Sequence, residues 1–373
     1  MAQILRVSSR FCRVILFTAY DLNGLKLPNR IVMAPLTRSR ATHGTDTPHA
    51  LNATYYSQRA TTGLIISEAT QISPTAKGYA WTPGIYSEAQ KEGWKLVTNA
   101  VHAAGGRIFA QLWHVGRFSH PSLQPNGATP VAPSAIAAPK GSKTIIETGE
   151  FLELDTPRAL TIDEIKQIVR DYQQAAQLAI DAGFDGVEIH AANGYLIQQF
   201  MADASNQRTD LYGGSISNRL RFAFEVVTAV IDQIGAQRTG IRLSPTSSSN
   251  GAIDSTPFKL YSQLVRELDS LHLAYVHVIE GTTGGSRETS AEFDFHELRA
   301  LFRGTWMVNN GYDYQLAIEA VSSGYADLVA FGKPFIANPD LVKRFAEHLP
   351  LNQPDPSTFY GGNEKGYTDY PFA

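Results

Sequence analysis

The strongest constraint on this chain is a rhythm. Eight short β-like runs recur along it, at 30–34, 63–68, 107–112, 186–190, 239–243, 275–279, 305–309 and 328–331. Each is followed by a stretch with helical periodicity. In 162–182, for instance, Ile165, Ile168, Val169, Tyr172, Ala176 and Ala179 line one helical face. Similar stretches occupy 218–234, 258–270 and 314–323. Several end at a glycine (Gly105, Gly183, Gly324), the residue that most easily takes the left-handed turn closing a helix. Strands alternating with helices eight times predict an α/β fold, a parallel sheet closed into a (β/α)8 TIM barrel. An open, doubly wound sheet is the alternative, because periodicity alone does not prove closure.

The 373 residues exceed a minimal barrel, and three segments absorb the excess. Residues 17–28 read as an N-terminal β-hairpin, with apolar alternation on either side of the two-residue turn Asn23-Gly24. Preceding the first strand, the hairpin is expected to plug the bottom of the barrel. Residues 116–158, rich in Pro and Gly, are too long for an ordinary loop after strand three. They predict an excursion over the top face, with strand-like 145–146 and 151–154. Residues 1–15 hold Arg6, Arg10 and Arg13 and no acid, which fits an organellar presequence, an over-long start or a disordered tail. The expected organisation is this basic extension followed by a single barrel domain over 16–373.

Composition narrows the function classes. Lys and Arg number 32 against 35 Asp and Glu, a net charge of −3, so no basic nucleic-acid footprint is expected. The most apolar run, 222–231, is cut by Glu225 and is too short to span a bilayer. A cytoplasmic location is therefore expected, with an organelle as the alternative the extension leaves open. The one cysteine, Cys12, lies in that extension, which excludes a disulfide framework and a thiolate-held cluster or zinc in the barrel.

In a barrel, chemistry sits where strands end. Strand five delivers Arg242, strand seven Asn310 and Gly311, and strand eight Gly332 and Lys333. Small residues that let backbone N–H groups approach, with two cations, predict a phosphate site. Strand four ends in His190, followed by Asn193 and Tyr195. An imidazole, an amide and a phenol together can polarise a carbonyl and deliver a proton. The bland readings are a core histidine beside a turn asparagine, and two solvated cations. His114 and His120 lack a clear third metal ligand, and no metal is expected.

Four separated motifs resemble the old yellow enzyme family of FMN-dependent ene-reductases. They are Asn29–Arg38 (NRIVMAPLTR), Gln111–His114 (QLWH), His190–Leu196 (HAANGYL) and Gly332–Leu341 (GKPFIANPDL), with similarity running from about Leu16 to Pro371. The resemblance implies non-covalent FMN, NADPH or NADH as reductant, and ping-pong reduction of activated C=C bonds in α,β-unsaturated carbonyls. Maleimides, nitroalkenes and nitrate esters are further candidate substrates. It places Ala34, Pro35, Leu36, Thr37, Ala69, Gln111 and Arg242 against the flavin, with Thr37 at its O4 edge and Gln111 on the pyrimidine portion. Asn310, Gly311, Gly332 and Lys333 would hold the phosphate. His190 and Asn193 would bind the substrate oxygen, and Tyr195 would be the proton donor. Tyr79, Trp113 and Tyr360 would wall the substrate pocket. A monomer or homodimer is expected.

The chain departs from that pattern at Lys333, where many members have arginine. It departs also in the serine-rich loop 245–250 and the polar loop 282–291, which are expected to shape the substrate mouth. No strand–GxGxxG–helix with a following acid is present, which agrees with a nicotinamide that needs no Rossmann domain. The competing readings are another phosphate-gripping barrel, an aldolase or isomerase using Glu68 or Glu188 as base, and a flavin storage protein.

Overall fold

The computed structural model describes residues 15–289 and 292–373. The basic extension expected at 1–15 lies outside them but for Ile15, and Cys12 with it.

Eight parallel strands form the barrel: Ile31–Met33, Leu64–Ile66, Ile108–Trp113, Gly186–Ala191, Thr239–Leu243, Tyr275–Ile279, Trp306–Asn309 and Leu328–Phe331. Each pairs with the next in chain order, and the eighth pairs back onto the first through Phe331 and Met33. The sheet is thus closed, and the doubly wound alternative falls. The expected strand positions hold to within one or two residues. The long helices Ile162–Asp181, Ile216–Ile234, Pro257–Asp269 and Tyr314–Ser322 follow the predicted stretches. The first opens on a capping box in which Thr161 and Glu164 satisfy each other's backbone N–H groups. Among the described residues, no helix is long and apolar enough to cross a membrane.

Strand side chains alternate between two environments. Val187, Ile189, Ala191, Ile241, Leu243, Val276 and Val278 point outward into the large core shared with the helices. Val32, Leu64, Ile66, Phe109, Tyr275, Met307 and Leu328 point inward and fill the lower barrel. Leu22 and Leu27 join this inner cluster, each fully buried. They come from the hairpin Tyr20–Leu22 and Leu25–Leu27, whose turn residues Asn23 and Gly24 both have positive φ (49° and 100°). That turn twists the two strands together, so the hairpin caps the barrel floor as expected. Burying each leucine contributes roughly 1.5–3 kcal/mol.

Above this layer the interior changes character. Gln111, Glu188, His190, Arg242, His277 and Asn309 occupy the inward positions of strands three to seven, and all are buried. An apolar floor beneath a polar upper half marks the upper end as the place for chemistry.

The excursion differs in detail from expectation. Its hairpin pairs Lys143–Ile145 with Phe151–Glu153. Ile146 instead starts the turn, donating to Glu150 O at 2.9 Å while Gly149, at φ +85°, donates back to Ile146 O. A second, unanticipated pairing, Val131–Ala132 with Arg158–Ala159, ties the end of the excursion to its middle. Two-residue pairings of this kind leave no periodicity to read.

Candidate active site

A cavity of about 480 Å³ opens at the upper end of the barrel, within the usual range for small-molecule sites. Its lining includes Ala34, Pro35, Leu36, Asn193, Arg242, Asn310, Gly311, Gly332 and Lys333, nine of the residues singled out from sequence. Arg242 is buried, donates from Nη2 to Asn309 Oδ1 at 2.7 Å, and leaves its buried Nε–H without a partner. Lys333 is exposed and forms no ion pair among the described residues. The Asn310 side chain braces the loop after strand six, donating to Glu280 O and Thr282 O, so only its backbone is left for a ligand. Gly311, at φ +66°, lets the chain turn there at no steric cost. An orphaned guanidinium N–H, an unpaired ammonium and a small-residue turn fit a ligand with an anionic tail and an electron-rich edge, and FMN has both.

Beside the cavity lies an aromatic cluster. Trp113, fully buried, stacks on Tyr195 with ring centroids 4.9 Å apart, and Tyr79 meets Trp113 edge-on at 5.6 Å. The Tyr79 and Tyr195 hydroxyls lie 3.0 Å apart. The His190 ring stands edge-on to Tyr195 at 5.1 Å. Burial pushes the Tyr195 phenol up to about 12, with Tyr360 adding to the rise against the opposing Tyr79 hydrogen bond. Burial, with Arg242 and His277 nearby, holds His190 well below its ordinary value, so the imidazole is neutral. Its Nδ1 accepts from the Ala192 N–H at 3.3 Å, which leaves the ring proton on Nε2.

Asn193 has a left-handed backbone (φ 57°) held from three sides. Its N–H donates to Ser244 Oγ at 2.8 Å, its carbonyl accepts from Asn250 Nδ2 at 2.9 Å, and its Oδ1 accepts from Thr283 Oγ1 at 2.8 Å. Ser247 lies 2.9 Å from Thr283, so the two unusual polar loops meet over Asn193. With Oδ1 engaged, the amide N–H groups are left for a ligand.

The remaining predicted residues are placed more loosely. Ala69 packs with Trp113, Val115 and Phe118. Thr37 is half-buried beside the cavity's Leu36 and Pro35. Tyr360 is 61 % exposed, on the C-terminal segment at the rim. The Gln111 amide points into the barrel, donating to Glu188 Oε1 at 2.7 Å. Glu68, a conceivable base, accepts the N–H groups of Arg38 and Ser39 at 3.1 and 3.2 Å, and so pins the loop that carries Thr37. Sequence reading missed the roles of Thr283, Ser244 and His277. Only the polarity of the 282–291 loop hinted at the first.

Comparison with known proteins is consistent along 96 % of the chain. Residues 15–352 match the NADH:flavin oxidoreductase / NADH oxidase family. The 12-oxophytodienoate reductase 1 of Oryza sativa subsp. japonica is 47 % identical over 363 residues, covering 96 % of this chain and 93 % of that protein. The solved structure of morphinone reductase superposes with a TM-score of 0.92 at 52 % identity, covering 96 % of both chains, and a related structure holds tetrahydroNAD. The old yellow enzyme homologue from Zymomonas mobilis gives 0.91 at 44 % identity, covering 96 % of this chain and 99 % of its own.

Proposed function

The chain belongs to the NADH:flavin oxidoreductase / NADH oxidase family, the old yellow enzymes, and on that premise we propose that it reduces activated C=C bonds of α,β-unsaturated carbonyls with NADPH or NADH. Residues 16–373 act as one FMN-binding unit. Arg242 and Gln111 lie at the flavin ring with Ala34, Pro35, Leu36, Thr37 and Ala69. Lys333 and the backbones of Asn310, Gly311 and Gly332 hold the phosphate. When bound, FMN supplies hydride exchange between the nicotinamide and the alkene β-carbon.

The other half of the chemistry belongs to this chain's own side chains. His190 Nε2–H and the Asn193 amide donate to the substrate's carbonyl oxygen, where negative charge builds as the β-carbon is reduced. Donors already fixed in place stabilise that charge without reorganising, and losing one costs about 3–4 kcal/mol in the barrier. Tyr195 gives its phenolic proton to the α-carbon, and Tyr79 hydrogen-bonds the oxygen left behind. Trp113 holds the Tyr195 ring, and Tyr360 walls the mouth.

One observation carries this reading. The Tyr195 phenol, kept protonated to about 12, stands against a neutral His190 whose free proton is on Nε2. That combination is an acid beside an oxyanion-binding donor. The reductase names of the relatives and the nicotinamide analogue in the related structure support the same direction.

The test is spectroscopic. Yellow protein should bleach under anaerobic NADPH or NADH and recover colour on adding an enone. A panel of enones, maleimides, nitroalkenes and nitrate esters then ranks the substrates. A colourless preparation that takes up no FMN would sink the proposal.

A further inference from the structure

The polar upper half of the barrel holds a charge that the proposed chemistry leaves unused. Glu188 lies mid-strand, fully buried, where a carboxylate is costly unless it is well paired. Its Oε1 accepts from Gln111 Nε2 at 2.7 Å, and its Oε2 accepts from His277 Nδ1 at 2.8 Å. Barrel closure makes both contacts. Glu188 is in register with Gln111 on one neighbouring strand, and His277 reaches it from two strands away on the other side. The titratable and charged groups facing Glu188 are His277, Arg242 and the phenol of Tyr275.

Burial works against the Glu188 anion, but His277 and Arg242 together hold it below the ordinary carboxylate value. Burial, more than the carboxylate opposing it, takes His277 below its own ordinary value. Glu188 is thus held as a carboxylate by the hydrogen bonds of Gln111 and His277, with the permanently charged Arg242 as a further counter-charge.

Two consequences follow from chemistry alone. A carboxylate can only accept, so Gln111 must turn its NH2 toward Glu188 and its carbonyl oxygen away. Without Glu188 that amide is free to rotate by half a turn and present a donor instead. Secondly, the buried charge of Arg242 is offset by one negative charge directly beneath the cavity, where little water screens either.

We propose that Glu188, steadied by His277, is a positioning residue that presents the Gln111 carbonyl as an acceptor to the flavin ring and offsets Arg242, and so sets both FMN affinity and reduction potential. This rests on the FMN reading above. Glu188→Gln keeps the shape and removes the charge. Its holoenzyme should show a midpoint potential more positive than wild type, because an unbalanced Arg242 favours the electron-rich reduced form. Its FMN dissociation constant should rise roughly tenfold, the worth of one charged hydrogen bond. Glu188→Asp keeps the charge but not the reach to Gln111, so affinity should fall while the potential returns toward wild type.

His277→Leu gives a second route that needs no change at Glu188. With one donor lost, Glu188 becomes easier to protonate, and a plot of potential against pH should gain a break that wild type lacks. A Glu188→Gln holoenzyme with wild-type potential and affinity overturns the inference, as do parallel potential–pH plots for wild type and His277→Leu. A wild type that binds no FMN removes the underlying reading instead.

Discussion

Tyr195 and Asn193 show how much a side chain's chemistry depends on its immediate partners. Tyr195 titrates at about 12 because burial disfavours its anion. An acid whose pKa is raised stays loaded at every pH below it, and a neutral His190 gains no proton on mild acidification. Alkene reduction should therefore be flat between about pH 6 and 9, measured on the alkene step alone. A break near the ordinary histidine value would contradict the neutral imidazole. Tyr195→Phe should cut that step at least about a hundredfold while reduction by NADPH and FMN content stay near wild type. Alkene turnover close to wild type would remove Tyr195 as donor. Thr283→Val frees the Asn193 carboxamide to rotate, and should raise KM for an enone roughly three- to tenfold with a smaller effect on kcat. Thr283→Ser, keeping the hydroxyl, should restore it.

At the scale of elements, the N-terminal hairpin is the part whose role is most easily weighed. Its Leu22 and Leu27 complete an inner cluster formed by strand residues from around the barrel. Leu27→Ala should lower stability by about 2–5 kcal/mol, read from urea unfolding. Lys26→Ala, on the exposed side of the same strand, should stay within about 0.5 kcal/mol. Equal effects at the two positions would mean that the hairpin does not close the floor. The loops after strands five and six act as a second unit, since Ser247 and Thr283 join them over Asn193. Their polarity is therefore spent on orienting a donor as well as on facing solvent.

For the whole molecule, cofactor and fold are linked. A ligand that binds only the closed barrel stabilises it by mass action, by about 2.7 kcal/mol at a hundredfold excess over its dissociation constant. Stripping FMN should lower the melting temperature and returning it should restore it; a melt indifferent to FMN would count against the cavity as its site. Much of this molecule was legible in its residues. The alternation of strand and helix and the Asn23-Gly24 hairpin follow from preferences acting over a few residues. The rule that barrels work at one face and the family resemblance together picked out nine residues that line one cavity. The sequence did not disclose which inward side chains meet. Glu188 and His277 are 89 residues apart, and Thr283 and Asn193 are 90 apart. Nothing local links either pair; closing the sheet into a ring brings them together. Nor could the sequence show that burial raises Tyr195 further above its ordinary value and keeps His190 neutral, because a proton affinity is set by the water that packing excludes. Periodicity and turn chemistry determined the architecture and the place of the site. Ring closure and burial, which exist only in the folded chain, decided the pairing, orientation and charge of the groups within it.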